Sequence, residues 1–218
     1  MKNLVVAIDG PAGAGKSTVA QLAAKKLGYT YIDTGAMYRA VAWKTLQAKQ
    51  PVTDELIVEI VKDIDVVLEY KDGKTAVYVD GKDVAGEIRT PEVTAIVSQV
   101  AALGPVREKM VELQRGMATK GAVLMDGRDI ATNVLPNADV KIFLTASIEE
   151  RALRRFKEMQ EKGYEVKLEE LQKDIAARDK ADSEREISPL VQAEDAELLD
   201  SSDMSIDEVV DAILARCR

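Results

Sequence analysis

The chain predicts an α/β fold, a parallel sheet with helices on both faces, and three observations carry that prediction. An apolar, β-branched run from Leu4 to Ile8 leads directly into Gly10-Pro11-Ala12-Gly13-Ala14-Gly15-Lys16-Ser17, and a helix-period stretch follows with a stop at Gly28. Strand-like and helix-like segments then alternate along most of the chain, which implies parallel strands joined by helical crossovers. A short antiparallel unit, about residues 64–86, interrupts the alternation.

The loop after the first strand satisfies G-x-x-x-x-G-K-[ST] in the context that motif requires, strand before and helix behind. Gly10, Gly13 and Gly15 let the backbone wrap closely and aim successive N–H groups at phosphate oxygens. The positive end of the helix dipole points into the same hollow. Lys16 can follow the β- and γ-phosphates, and the Ser17 hydroxyl can ligate Mg²⁺. A nucleoside triphosphate is the expected ligand.

In order, Tyr29 to Asp33 reads as a second strand ending at Thr34-Gly35, and Tyr38 to Ala48 as a helix. Pro51 breaks it, and Asp54 to Lys62 is a helix with acids in its first turn. Ile64 to Tyr70, the turn Lys71 to Lys74, Thr75 to Asp80 and Lys82 to Val84 form the antiparallel unit. Thr90-Pro91 starts a helix toward Leu103, and Gly104-Pro105 separates it from another over Pro105 to Ala118. Ala122 to Met125 and Val140 to Leu144 are core strands. Ser147 and Glu150 read as a capping box for an arginine-rich helix that Gly163 ends. Leu168 to Arg178 resumes helically, and Lys180 to Ile187 reads as a polar connection. Leu198 to Asp200 is the fifth core strand, and Ser205 with Glu208 caps the last helix, Ile206 to Ala215. Ligands of such sheets sit at the C-terminal strand ends. The segments Gly10 to Ser17, Asp33 to Gly35 and Asp126 to Asp129 should therefore converge on one crevice.

At 218 residues the chain can bury a substantial core. A net charge of −8 argues against a broad nucleic-acid-binding surface. There is no histidine, which removes Ser-His and Cys-His catalysis and most zinc sites, and a single cysteine, Cys217, allows no disulfide framework. No run reaches the ~18 apolar residues of a membrane span, and the N-terminus enters the first strand without a signal peptide. A cytoplasmic monomer with no membrane or nucleic-acid polymer as partner is the expectation.

Asp126 ends an apolar strand, where a carboxylate can hold Mg²⁺ or its waters, and Arg128-Asp129 adds a planar cationic fork beside an acceptor. Arg39, Arg107, Arg178 and Arg185, with Asp182 between the last two, are further candidates; singly, each reads as well as a surface ion pair. Arg151, Arg154 and Arg155 share a helix face with Glu150, Glu158 and Glu161 nearby, so a salt-bridged helix competes with a phosphoryl clamp. A phosphate-monoester acceptor needs no general base, which suits a chain without histidine. No Asn-Lys-x-Asp tetrapeptide is present to read guanine, which disfavours a GTPase. A nucleotide-gated regulatory protein without catalysis is the alternative of a different class.

The segments IDGPAGAGKST, DTGAMYRA, Gly86 to Arg89, Val97 to Val100, VREKMVELQR, DGRDIAT, Arg151 to Arg155, RDKADSER and LLDSS, in that order, resemble bacterial cytidylate kinases over essentially the whole chain. The resemblance implies a P-loop nucleoside-monophosphate-kinase fold: a five-stranded parallel core, a β insertion and a helical lid. It implies a core of residues 1–33, 87–148 and 187–218, an acceptor region over 34–86 and a lid over 149–186. It also implies transfer of the γ-phosphoryl group from ATP, with Mg²⁺, to CMP or dCMP. By position, Gly10, Pro11, Ala12, Gly13, Ala14, Gly15, Lys16, Ser17, Thr18 and Arg154 would hold ATP, and Ser17 with Asp126 the metal. Thr34, Tyr38, Arg39 and Arg128 would hold the CMP phosphate, Ser98, Arg107 and Asp129 the cytosine, and Arg178 with Asp182 the sugar. Lys16, Arg128, Arg151, Arg155 and Arg185 would act on the transferred group. Cytosine's amino donor beside its ring acceptors is complementary to an Asp acceptor flanked by Arg and Ser donors.

Overall fold

A computed structural model describes residues 3–71 and 73–217. The core is a five-stranded sheet built from β1 (Val5–Asp9), β2 (Thr30–Asp33), β6 (Val123–Gly127), β7 (Val140–Thr145) and β8 (Glu197–Asp200), in the order β2-β6-β1-β7-β8. All four pairings are parallel. β1 and β6 lie inside the sheet, and their near-continuous apolar runs fit strands covered on both faces. Helix α1 (Lys16–Leu27) and the terminal helix α8 (Ile206–Arg216) pack together on one face, where Val19, Ala20, Ala23, Val209, Val210 and Ile213 are buried.

The antiparallel insertion is present as β3 (Val66–Lys71), β4 (Lys74–Val79) and the two-residue β5 (Lys82–Asp83). Asp72 of the turn between β3 and β4 lies outside the described residues. The insertion packs with α2 (Thr34–Gln47), α3 (Asp54–Asp63), α4 (Pro91–Ala102) and α5 (Gly104–Ala118) around a second apolar cluster that includes Met37, Trp43, Ile57, Val77, Val79, Val97 and Met110.

Several boundaries differ from the sequence expectation. Helix α2 starts at Thr34, not Tyr38, because the Asp33 carboxylate caps it by accepting the Ala36 N–H at 2.9 Å. Helix α6 (Ile148–Glu161) is capped by Ser147 alone; Glu150 does not complete the box and pairs instead with Arg154. Helix α7 runs Leu168–Glu184, so Lys180 to Glu184 is helix and not a polar connection. Its Asp182 faces inward and is buried against Arg128, a partner no local pattern reveals. Beyond Asp129 the chain makes a π-turn, Ile130–Val134, which the sequence did not announce. Ser205 and Glu208 do form the full reciprocal box at α8.

Candidate active site

The phosphate loop lies between the end of β1 and the start of α1, as the motif demands. Gly10 has φ +148°, and a Cβ there would lie 1.9 Å from the Leu144 carbonyl oxygen on the neighbouring β7, so no other residue fits. No side chain caps α1, which leaves its first amides facing the loop hollow. Lys16 is 5 % exposed, and its ammonium donates to the carbonyls of Gly10 and Pro11, both at 2.7 Å. Burial, with the Arg128 charge adding, holds its pKa well below that of a free lysine.

Behind the loop stands Asp126, 3 % exposed. Ser17 Oγ donates to its Oδ2 at 3.2 Å and the Tyr31 hydroxyl to its Oδ1 at 2.7 Å. Burial, with Asp33 on the adjacent strand, raises its pKa to about 6. A serine hydroxyl and a carboxylate oxygen this close are a hard-oxygen pair suited to Mg²⁺, which takes few protein ligands and fills the rest with water and phosphate. Among the described residues no group of three or more acids or cysteines is placed to hold a metal ion by itself.

A small cleft, about 50 Å³, opens beside this centre, and Thr34, Tyr38, Ser98, Arg107, Arg128, Asp129, Arg178, Asp182 and Arg185 all line it. The expected acceptor residues thus converge, with one exception. Arg39 is not in the cleft wall; it donates to Thr94 Oγ1 at 2.9 Å and to the Ile88 carbonyl at 3.3 Å. Burial, with the Arg178 charge beside it, lowers its pKa to about 9. Thr34 lines the cleft, but its hydroxyl is spent on the Asp126 carbonyl at 2.7 Å. A larger open hollow of about 490 Å³ lies on the far side of Arg107, along α5 and Ile187-Ser188, and includes no phosphate-loop residue.

At the cleft floor Arg107 and Asp129 form a buried pair, Nη2 to Oδ2, both about 3 % exposed as residues. Arg107 lies over the Tyr38 ring, 5.4 Å from its centroid. Burial pushes the Tyr38 hydroxyl up to about 12, so it stays protonated. Asn133 Nδ2 also donates to Asp129, and an Arg185 Nη2 lies 3.7 Å from its other oxygen. Arg128 pairs with Asp182 at 3.0 Å. Arg178 Nε, in the same wall, is buried with no partner, and burial lowers that guanidinium to about 10, with Arg128 beside it.

The arginines of α6 divide. Arg151 is buried and ties α6 to the phosphate loop through the Ala12 carbonyl (2.8 Å) and to α7 through Asp179 (2.6 Å). Arg154 reaches the Ser201 carbonyl (2.6 Å), Ser201 Oγ and the Ala14 carbonyl, besides Glu150. Among the described residues Arg155 pairs with Glu158, in the salt-bridged manner that competed in the sequence reading. The sequence reading missed Tyr31, Arg89, which grips the capping Asp33 at 2.6 Å, and Asp179. The alternation of Tyr31 and Asp33 on one strand face offered a faint signal for the first; the other two pairings carry none.

A phosphate loop with a buried carboxylate behind it, beside a separate arginine-lined cleft, is the build of a P-loop phosphotransferase. Comparison with known proteins sharpens that class. The family model described as cytidylate kinase matches residues 6–218. A cytidylate kinase of Bacillus cereus is 52% identical over 215 residues, covering 98% of this chain and 96% of its own length. One from Bacillus thuringiensis is 52% identical over 214 residues, covering 98% and 95%. The crystal structure of an uncharacterized protein from Eubacterium ventriosum superposes with a TM-score of 0.52 at 16% identity, over 98% of this chain and 97% of that one, and shares the fold. The chain belongs to the cytidylate kinase family.

Proposed function

We propose that this protein transfers the γ-phosphoryl group of ATP to CMP or dCMP, giving ADP and the corresponding diphosphate. The observation that carries the reading is the adjacency of two differently built sites. Lys16 on the phosphate loop feels the charges of Arg128 and Arg178, which line the acceptor cleft, so a donor phosphate and an acceptor phosphate would meet between them. The acceptor monoester is itself the nucleophile: one of its oxygens attacks the γ-phosphorus, the bond to the β-bridging oxygen breaks, and no proton needs removing at neutral pH.

Lys16, Arg128, Arg178 and Arg185 would spread the charge of the transferred group, with Arg151 and Arg154 ordering the loop carbonyls around it. Arg155 would have to exchange Glu158 for phosphate, and Arg39 would have to leave Thr94. Ser17 and Asp126 would hold Mg²⁺, which supplies charge neutralisation between the donor phosphates. In the base subsite, the paired Arg107 and Asp129 with Ser98 offer the donor–acceptor pattern of cytosine; uracil would leave a carbonyl against Asp129.

The cleft volume of about 50 Å³ falls well below the roughly 300 Å³ at which ligand pockets begin, so the acceptor region (34–86) and the lid (149–186) would move apart to admit nucleotide. Hydrogen exchange over 149–186 should then slow with both nucleotides bound; a pattern unchanged by nucleotide would count against a moving lid. No described helix is long and apolar enough to cross a membrane. The reading includes a monomer in the cytoplasm.

The direct test is ADP release with ATP, Mg²⁺ and each of CMP, dCMP, UMP, AMP and GMP. Turnover chiefly with the two cytidine monophosphates supports the reading, and turnover chiefly with another acceptor overturns the base subsite.

A further inference from the structure

β1 ends in Asp9, one residue before the phosphate loop, and the reading above gives its carboxylate nothing to do. It is 2 % exposed. Its Oδ1 accepts the Ile130 N–H and its Oδ2 the Ala131 N–H, both at 2.8 Å. These are the first two amides of the π-turn, which has no side-chain cap from its own N-cap residue, Asp129. The cap comes instead from 121 positions away. On its other side the Asp129 carbonyl accepts the N–H groups of Asn133 and Val134. Asp129 is therefore fixed at the junction of strand and turn by bonds that its own side chain does not make, and that side chain is left to face Arg107.

An ionised carboxylate held in so dry a place costs solvation, and two charge-assisted N–H bonds recover only part of it. An apolar residue would fill the space without that cost, but would leave two buried amides orphaned at the point where the base subsite begins.

We propose that Asp9 is a positioning residue for selection of the acceptor base. By clamping the two amides that follow Asp129, it sets the orientation in which the Arg107–Asp129 pair meets cytosine, and it binds that orientation to the loop that carries the donor phosphates. The inference rests on the cytidine reading above and names a determinant of selectivity that touches neither substrate.

The test uses Asp9→Asn in the full chain, which keeps size and one acceptor but turns an NH₂ toward the second amide. With ATP, Mg²⁺ and either CMP or UMP, the KM for CMP should rise roughly tenfold, as expected for one lost bond to a charged acceptor, and the CMP-over-UMP preference should fall by the same factor. The KM for ATP should stay within about twofold. In an Asp129→Asn background, Asp9→Asn should then cost little more, because Asp9 acts through Asp129. Should Asp9→Asn fail to fold, Ala131→Pro removes only one of the two N–H donors at an early helical position and carries the same expectation. Preserved selectivity, or equal rises in both KM values alongside a lower melting temperature, would reduce Asp9 to a structural cap and overturn the proposal. The wild-type comparison separates the two levels: no cytidine preference there sinks the base-subsite reading and this inference with it, whereas a wild-type preference that the variant retains sinks the inference alone.

Discussion

Tyr31 donates its hydroxyl to Asp126 at 2.7 Å and rests edge-on against Tyr70 of the antiparallel insertion, ring centroids 5.9 Å apart. The insertion thus touches, through one aromatic contact, the residue that orients the carboxylate behind the phosphate loop. Such outer hydrogen bonds govern how well a ligand oxygen is presented. Tyr31→Phe keeps the ring and deletes the bond. The Mg²⁺ concentration for half-maximal rate should rise about tenfold with little change in the KM for CMP, as a metal titration of initial rates would record.

Arg107 and Asp129 are each other's compensation in a dry site. Arg107→Leu strands the carboxylate and should lower stability by about 3–5 kcal/mol, a melting-temperature drop near 10 °C for a chain of this size. Arg107→Leu with Asp129→Leu should recover most of that loss while base selection stays abolished. Calorimetry of both variants beside the assay checks the pair.

Asp9 gives stability a pH dependence of defined sign. Its pKa rises from 3.8 in an unfolded chain to about 6 here, through burial. The native state therefore holds this proton more tightly, so the contribution is full below pH 3.8 and is lost as pH rises through about 6. Asp9→Asn cannot titrate. Urea unfolding of both proteins between pH 4 and 7 should show wild type losing about 3 kcal/mol relative to the variant across that window, with no further divergence above it.

Lys16 trades stability for function. Its buried ammonium is disfavoured by the same desolvation that lowers its pKa. Lys16→Met should raise the melting temperature by a few degrees and cut kcat by about 10²–10³-fold. Thermal denaturation without nucleotide and single-turnover rates with it measure the two halves separately.

What was legible in the sequence was local. The phosphate loop, its flanking strand and helix, the Thr90-Pro91 start and the Ser205 cap are all written within a few residues, and all appear. The residues that line the cleft were singled out together only through likeness to a family, because Arg107 and Asp129 are joined by a pairing across 22 positions. Tyr31 and Asp126 are 95 positions apart, and Asp9 and Ile130 are 121 apart. Nothing in the local pattern distinguishes such groups from ordinary strand residues. Asp182 is a similar case: its run of alternating charges made it a candidate only through likeness to the family, and its partner, Arg128, lies 54 residues away.

Most arginines of the crevice are held on a carboxylate of the chain itself, Arg107 and Arg185 near Asp129, Arg128 on Asp182, Arg151 on Asp179 and Arg155 on Glu158. The protein carries its own counter-ions. An incoming phosphate therefore competes with tethered anions and not chiefly with dissolved ones, so binding works as an internal ion exchange that sheds few ions to bulk. Nucleotide affinity should accordingly depend less steeply on salt than the number of arginines suggests, and an acidic chain can still receive polyanions at one place on its surface.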